Sequence, residues 1–195
     1  MAAQKILIVQ GHPDGGHRHL GHALADAYAV GAEAAGHEVR RLDIAHLAFE
    51  AIATQEEFER GTPPPDIAAA QDAIRWANHV VMLFPLWLGT VPARTKAFLE
   101  HVMRPHVAFA YSPRGFPRKL LKGRSARLVV TMGMPALLYR WYFGAFGVRG
   151  IERNILSFVG FDPVRTTLLG GVGQASARRR AAWLSRMTRL GGQGK

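Results

Sequence analysis

The run Lys5-Ile6-Leu7-Ile8-Val9-Gln10 stops abruptly at Gly11-His12-Pro13-Asp14, and that junction constrains the fold more than any other. An apolar, β-branched run of this length reads as a buried strand. A basic turn through His17, Arg18 and His19 follows, and a helical pattern opens at Leu20. A strand feeding a loop that ends at a helix N-terminus is an anion site. The first helical N–H groups lack intrahelical acceptors, and the helix dipole favours negative charge there. Early in an α/β chain the expected anion is the phosphate of a nucleotide or flavin.

The same alternation continues. A helix is expected from about Leu20 to Ala35, ended by Gly36, and an exposed strand over His37–Ile44. After the break at Thr62-Pro63-Pro64-Pro65, Asp66 is expected to cap a helix reaching Ala77. His79–Pro85 has no polar face and reads as a buried central strand. Pro92 opens a helix to about Met103. Residues 105–124 form an irregular insert, Arg127–Thr131 a strand, and a Gly/Pro/aromatic loop runs to Gly147. A helix near Gly150–Phe158, a strand Val164–Leu169 and a basic helix Gln174–Leu190 complete the pattern. Right-handed crossovers then give a doubly wound five-stranded parallel sheet in the order 2-1-3-4-5, within a single domain spanning residues 1–195. In that topology three loops converge beyond the strand ends: Gly11–His19, Leu86–Val91 and Met132–Gly147.

Charge is divided unevenly along the 195 residues. Residues 1–100 carry a net −4 and residues 101–195 a net +15. Such a bias suits nucleic acid, or an anionic cofactor and co-substrate drawn in at long range. The aromatic-interleaved signature of RNA binding is absent, and no nucleic-acid partner is expected. The absence of cysteine excludes a disulfide framework, a thiol nucleophile and cysteine metal sites. His12, His17, His19 and His22 lack an acidic or cysteine complement at recognised spacing, so no metal is expected. No apolar run is long enough to span a bilayer, and no leader-like pattern opens the chain; a cytoplasmic protein without membrane insertion is expected.

Four segments in order carry a resemblance: Gly11-His12-Pro13-Asp14; Phe84-Pro85-Leu86-Trp87 with Val91-Pro92-Ala93; Phe109-Ala110-Tyr111; and Thr131-Met132-Gly133 followed by Tyr139. Together they resemble the flavodoxin-like NAD(P)H:quinone oxidoreductases, a family that includes modulators of drug activity and potassium-efflux ancillary flavoproteins. The resemblance runs from residue 4 to about residue 170. It implies a flavodoxin-like three-layer sandwich, a bound flavin, and hydride transfer from NAD(P)H to a quinone or similar acceptor by ping-pong. The cofactor implied is FMN, with FAD as the alternative, because the extended C-terminal region of the larger FAD members has no counterpart. A flavin-bearing regulatory subunit of a membrane transporter is the alternative function.

Carried over residue by residue, the resemblance puts the flavin phosphate against His12, Arg18, His19, Leu20 and Gly21. This chain has His19-Leu20-Gly21 where the family often has Ser-Phe-Asn. Pro85, Leu86, Trp87 and Leu88 are expected to cup the isoalloxazine edge through backbone donors, although Trp87 also suits core packing. Thr131, Met132 and Gly133 approach the pyrimidine end, where a fixed donor stabilises negative charge. Tyr139 matches the family's catalytic tyrosine, with Gly133 beside it. The histidine that follows the tyrosine in the family is missing, since none occurs after His106. Phe109 and Tyr111 match positions that reach across a two-fold interface in a homodimer, and Trp141 is a candidate for lining the substrate pocket.

Overall fold

The computed structural model describes residues 2–112 and 115–195. In chain order its elements are β1 Lys5–Gln10, α1 Leu20–Ala34, β2 Glu38–Asp43, α2 Gln55–Arg60, α3 Pro65–Trp76, β3 His79–Pro85 and α4 Ala93–Val102. Then come β4 Phe109–Ala110, β5 Arg118–Lys119, β6 Arg124–Met132, α5 Ala136–Trp141, α6 Phe146–Gly150, α7 Ser157–Val159, β7 Phe161–Gly170 and α8 Ala177–Gly192. A wide-turn helical segment, Ile151–Leu156, joins α6 to α7.

Five parallel strands form the main sheet in the order β2-β1-β3-β6-β7. The anticipated 2-1-3-4-5 is corrected in number because the insert contributes two unanticipated strands. β4 and β5 pair antiparallel in a sheet of their own, Phe109 opposite Lys119 and Ala110 opposite Arg118. Residues 113 and 114 of the insert expected over 105–124 lie outside the described residues.

Strand alternation sends side chains to two cores. Leu7, Val9, Val80, Met82, Leu128 and Val130 pack with Ile67, Ile74, Phe98 and Leu99 from α3 and α4. On the opposite face Ile6, Ile8, Val81, Leu83 and Val129 pack with Leu24, Tyr28 and Met187 from α1 and α8. Those two helices approach closely at glycines. A methyl on Gly31 would overlap the Thr188 carbonyl, and one on Gly191 the Tyr28 carbonyl.

Local chemistry explains where the elements differ from expectation. Asp66 does not cap α3, because Pro65 takes the first helical position, where its missing N–H costs nothing. The Asp66 carboxylate instead accepts from the Ala48 N–H at 2.7 Å. Thr54 starts the unanticipated α2 by accepting from the Glu57 N–H at 3.1 Å. The segment expected as a loop through Gly147 holds α5 and the start of α6. Among the described residues, no helix is long and apolar enough to cross a membrane.

Chain direction across the sheet reverses at β1, which has β2 on one side and β3 on the other. Successive crossovers depart in opposite senses there, and a crevice opens above the carboxyl ends of β1 and β3.

Candidate active site

A cleft of about 190 Å³ occupies that crevice, lined by Gln10, His12, His19, Leu20, Gly21, Phe84, Pro85, Thr131 and Val172. Beside it, Gly11 ties the end of β1 to β3. The Gly11 N–H donates to the Leu83 carbonyl at 2.6 Å, and the buried Thr95 hydroxyl donates to the Gly11 carbonyl at 2.7 Å. A Cβ at Gly11 would stand 2.9 Å from the Leu83 carbonyl oxygen, so β1 can end against β3 only without a side chain there. Of the anticipated phosphate-contacting residues, His12, His19, Leu20 and Gly21 are brought together. Arg18 is not. It pairs with Asp26, which Arg41 also holds, and lines a separate cavity of about 300 Å³ between α1 and β2.

The histidine loop is internally ordered around Asp14. One Asp14 oxygen accepts from the Gly16 N–H at 2.8 Å; the other meets His19 Nε2 at 2.8 Å and His17 Nδ1 at 3.1 Å. The His19 hydrogen bond, followed by the Gly16 amide, holds the Asp14 carboxyl well below the usual carboxylate range. His12 Nδ1 accepts from the Asp14 N–H at 3.1 Å, which assigns the proton of the neutral ring to Nε2. Burial first, then the neighbouring His19 and His22, push the His12 pKa down. At the start of α1, His22 Nδ1 accepts from the His19 N–H at 3.0 Å. The N–H groups of Leu20 and Gly21 come next in the helix, where no intrahelical acceptor is available.

The second loop corrects the expectation that its backbone amides all face a ring. Leu86 N–H donates to the Thr131 carbonyl at 2.8 Å and Trp87 N–H to the Thr90 carbonyl at 2.9 Å. Positive φ at both Leu88 (47°) and Gly89 (82°) makes Trp87–Thr90 a tight turn of the I′ class. Its tip leaves the Leu88 and Gly89 amides without a partner among the described residues. Pro85 lines the cleft. Trp87 is half-exposed and meets His12 edge-on, with ring centroids 6.0 Å apart, so it is not a core residue.

Thr131 lines the cleft, whereas the next side chain, Met132, is buried on the opposite face of β6 by strand alternation. Any role for Met132 is therefore through its backbone. Gly133 is exposed, with open space around it. Tyr139 is 2 % exposed and is not among the cleft-lining residues. Its hydroxyl donates to the Gly89 carbonyl at 2.8 Å and accepts from the Val148 N–H at 3.4 Å. Burial pushes its pKa up. A phenol tied in this way braces the Trp87–Thr90 turn against α6.

The three anticipated pocket aromatics are not gathered at the cleft of one chain. Phe109 is buried edge-on to Tyr111 and Phe158, and lines an apolar groove of about 250 Å³ with Leu99 and Met103. Tyr111 is exposed, and Trp141 is 78 % exposed. Phe109 of β4 shares that groove with Leu99 and Glu100 of α4, and no residue of β4 or β5 lines the cleft. Gln10, Phe84 and Val172 line the cleft without having been singled out from sequence. The signal for Gln10 was the one polar residue ending an otherwise apolar strand.

Residues 4–190 match the family described as flavodoxin-like fold. The chain belongs to the flavodoxin-like fold family. Among its relatives in that family, an FMN-dependent NADH:quinone oxidoreductase of Ruegeria pomeroyi is 27 % identical over 188 residues, covering 82 % of this chain and 89 % of the relative. An FMN-dependent NADH:quinone oxidoreductase of Nitratidesulfovibrio vulgaris is 28 % identical over 204 residues, covering 91 % and 93 %. The flavodoxin-like fold is also seen in the structure of an NAD(P)H:quinone oxidoreductase from Methanothermobacter marburgensis. It superposes with a TM-score of 0.79 at 23 % identity, covering 98 % of this chain and 97 % of that one.

Proposed function

We infer that this flavodoxin-like protein is an FMN-dependent NAD(P)H:quinone oxidoreductase. The observation that carries the reading is the cleft at the sheet's switch point. There the α1 N-terminus and the buried Gln10 amide, whose Nε2 has no partner among the described residues, face one space. Buried donors without acceptors suit an anionic, hydroxyl-bearing cofactor tail. The relatives named for FMN, NADH and quinone support the same assignment. FAD has no comparable support, and the transporter-subunit alternative is not favoured.

The bound flavin supplies hydride acceptance from the nicotinamide and two-electron delivery to the quinone. Leu20, Gly21 and His19 would hold the phosphate end, and Pro85, Trp87 and the Leu88–Gly89 amides the ring edge. The Gly133 amide would serve the pyrimidine end. Tyr139 would act as a positioning residue: by fixing the Gly89 carbonyl it holds the turn whose Leu88 and Gly89 amides would meet the ring. His12 lines the cleft, and burial there disfavours its protonated form. Donor and acceptor use the same surface in turn, which gives ping-pong kinetics. We further propose a single cytoplasmic domain that dimerises through the Phe109 and Tyr111 hairpin, so that the partner's aromatics complete the substrate pocket.

The experiment is the visible spectrum and mass of the chromophore on purified protein, followed by anaerobic mixing with NADH or NADPH. A yellow protein that bleaches with a nicotinamide and recolours with a quinone is expected. A colourless protein that cannot be reconstituted with FMN overturns the reading.

A further inference from the structure

Gln10 ends β1 and is 6 % exposed. Its Oε1 accepts from the His12 N–H at 3.3 Å, which orients the amide and leaves Nε2 as the donor. That buried Nε2 has no hydrogen-bond partner among the described residues. Native structures seldom bury a donor without an acceptor unless a ligand or water supplies one. The amide lies against the first turn of α1: a Cβ on Gly21 would stand 3.3 Å from Oε1 and 3.4 Å from Nε2. The Gln10 amide therefore packs against Gly21 in the first turn of α1, at the positive end of the helix dipole, and Gln10 lines both this cleft and the neighbouring cavity that holds Arg18 and Arg41.

No lysine or arginine lines this cleft among the described residues. Arg18, the nearest cation in sequence, is held by Asp26. The Asp14 carboxylate is engaged by His17, His19 and the Gly16 amide. An anion here is recognised by aimed neutral donors, not by an ion pair. We propose that Gln10 Nε2, with the Leu20 and Gly21 amides, binds the terminal phosphate of the flavin side chain. Gln10 is thereby the residue that sets preference for FMN over riboflavin. This rests on the flavin reading above and adds a specific ligand to it.

The test titrates apoprotein with FMN and with riboflavin, following quenching of flavin fluorescence, for wild type, Gln10→Met and Gln10→Glu. Met keeps the unbranched shape and removes the donor; Glu keeps an acceptor for His12 and adds a negative charge. FMN affinity is expected to fall about 10-fold in Gln10→Met and about 100-fold or more in Gln10→Glu, with riboflavin affinity unchanged in Gln10→Met. Thermal unfolding of apo Gln10→Met is expected near the wild-type temperature, because the unpaired donor and the acceptor of the His12 N–H are removed together. Equal loss of both flavins, or unchanged FMN affinity, overturns the phosphate assignment while leaving the enzyme reading standing. Failure of wild type to bind either flavin overturns both.

Discussion

The imidazoles of His12 and His19 stack at 3.6 Å between centroids with an interplanar angle of 17°. Two rings this close resist carrying two positive charges, and His12 is the one that burial and its histidine neighbours disfavour as a cation. An NMR titration should place the His12 midpoint below its ordinary 6.5. Because the folded pKa is lowered, the His12 contribution to stability is full above 6.5 and is lost as pH falls through the folded midpoint. A midpoint at or above 6.5 would show that the stack does not persist in solution.

His79 at the start of β3 is fully buried, and its pKa is pushed down to about 4 by burial and then by the Arg127 and Arg165 charges. The unfolded chain binds the extra proton at higher pH than the folded one. The resulting stability is present above 6.5 and lost as pH falls from 6.5 toward 4, on the order of 3 kcal/mol. Urea unfolding at pH 7 and 4.5 should show this loss in wild type and a smaller one in His79→Gln. Identical pH dependence in both would remove His79 from the account.

Tyr139→Phe leaves the Gly89 carbonyl and Val148 N–H without their hydroxyl partner. A loss of about 1–2 kcal/mol in stability is expected. If Tyr139 positions the turn, quinone turnover falls while the pH–rate profile keeps its shape. Disappearance of a limb of that profile would instead make it a proton donor.

Gly31→Ala drives a methyl into the Thr188 carbonyl where α1 crosses α8. Overpacking of this kind costs about 1–3 kcal/mol. Since α1 carries the proposed phosphate-binding amides at its other end, weaker FMN binding should accompany the drop in urea midpoint. Val30→Ala, next along α1 and 60 % exposed, serves as the control and should change neither.

Leu88 is fully exposed with φ at 47°, a conformation that disfavours its side chain. Leu88→Asn should raise stability by about 1 kcal/mol, because Asn tolerates the left-handed region. A rise in the quinone KM of this more stable variant would assign the Leu88 side chain to substrate contact. An unchanged KM would limit the residue to its backbone role.

Local sequence determined the strand, the Gly11 break, the helix start at Leu20 and the alternation that puts three loops at one sheet edge. These follow from apolar periodicity and turn chemistry, which act within a few residues. Tertiary structure alone decided what each side chain meets. Gln10 read as the end of a strand until α1 folded Gly21 against its amide. Tyr139 read as the match to a catalytic tyrosine, and only the fold showed that its hydroxyl is held by the Gly89 carbonyl of a turn fifty residues earlier. Trp141 read as a candidate for lining the substrate pocket until α5 left its side chain exposed. Strand period fixes a side chain's face, but its partner comes from crossovers and helix packing between residues far apart in the chain, which no local pattern encodes.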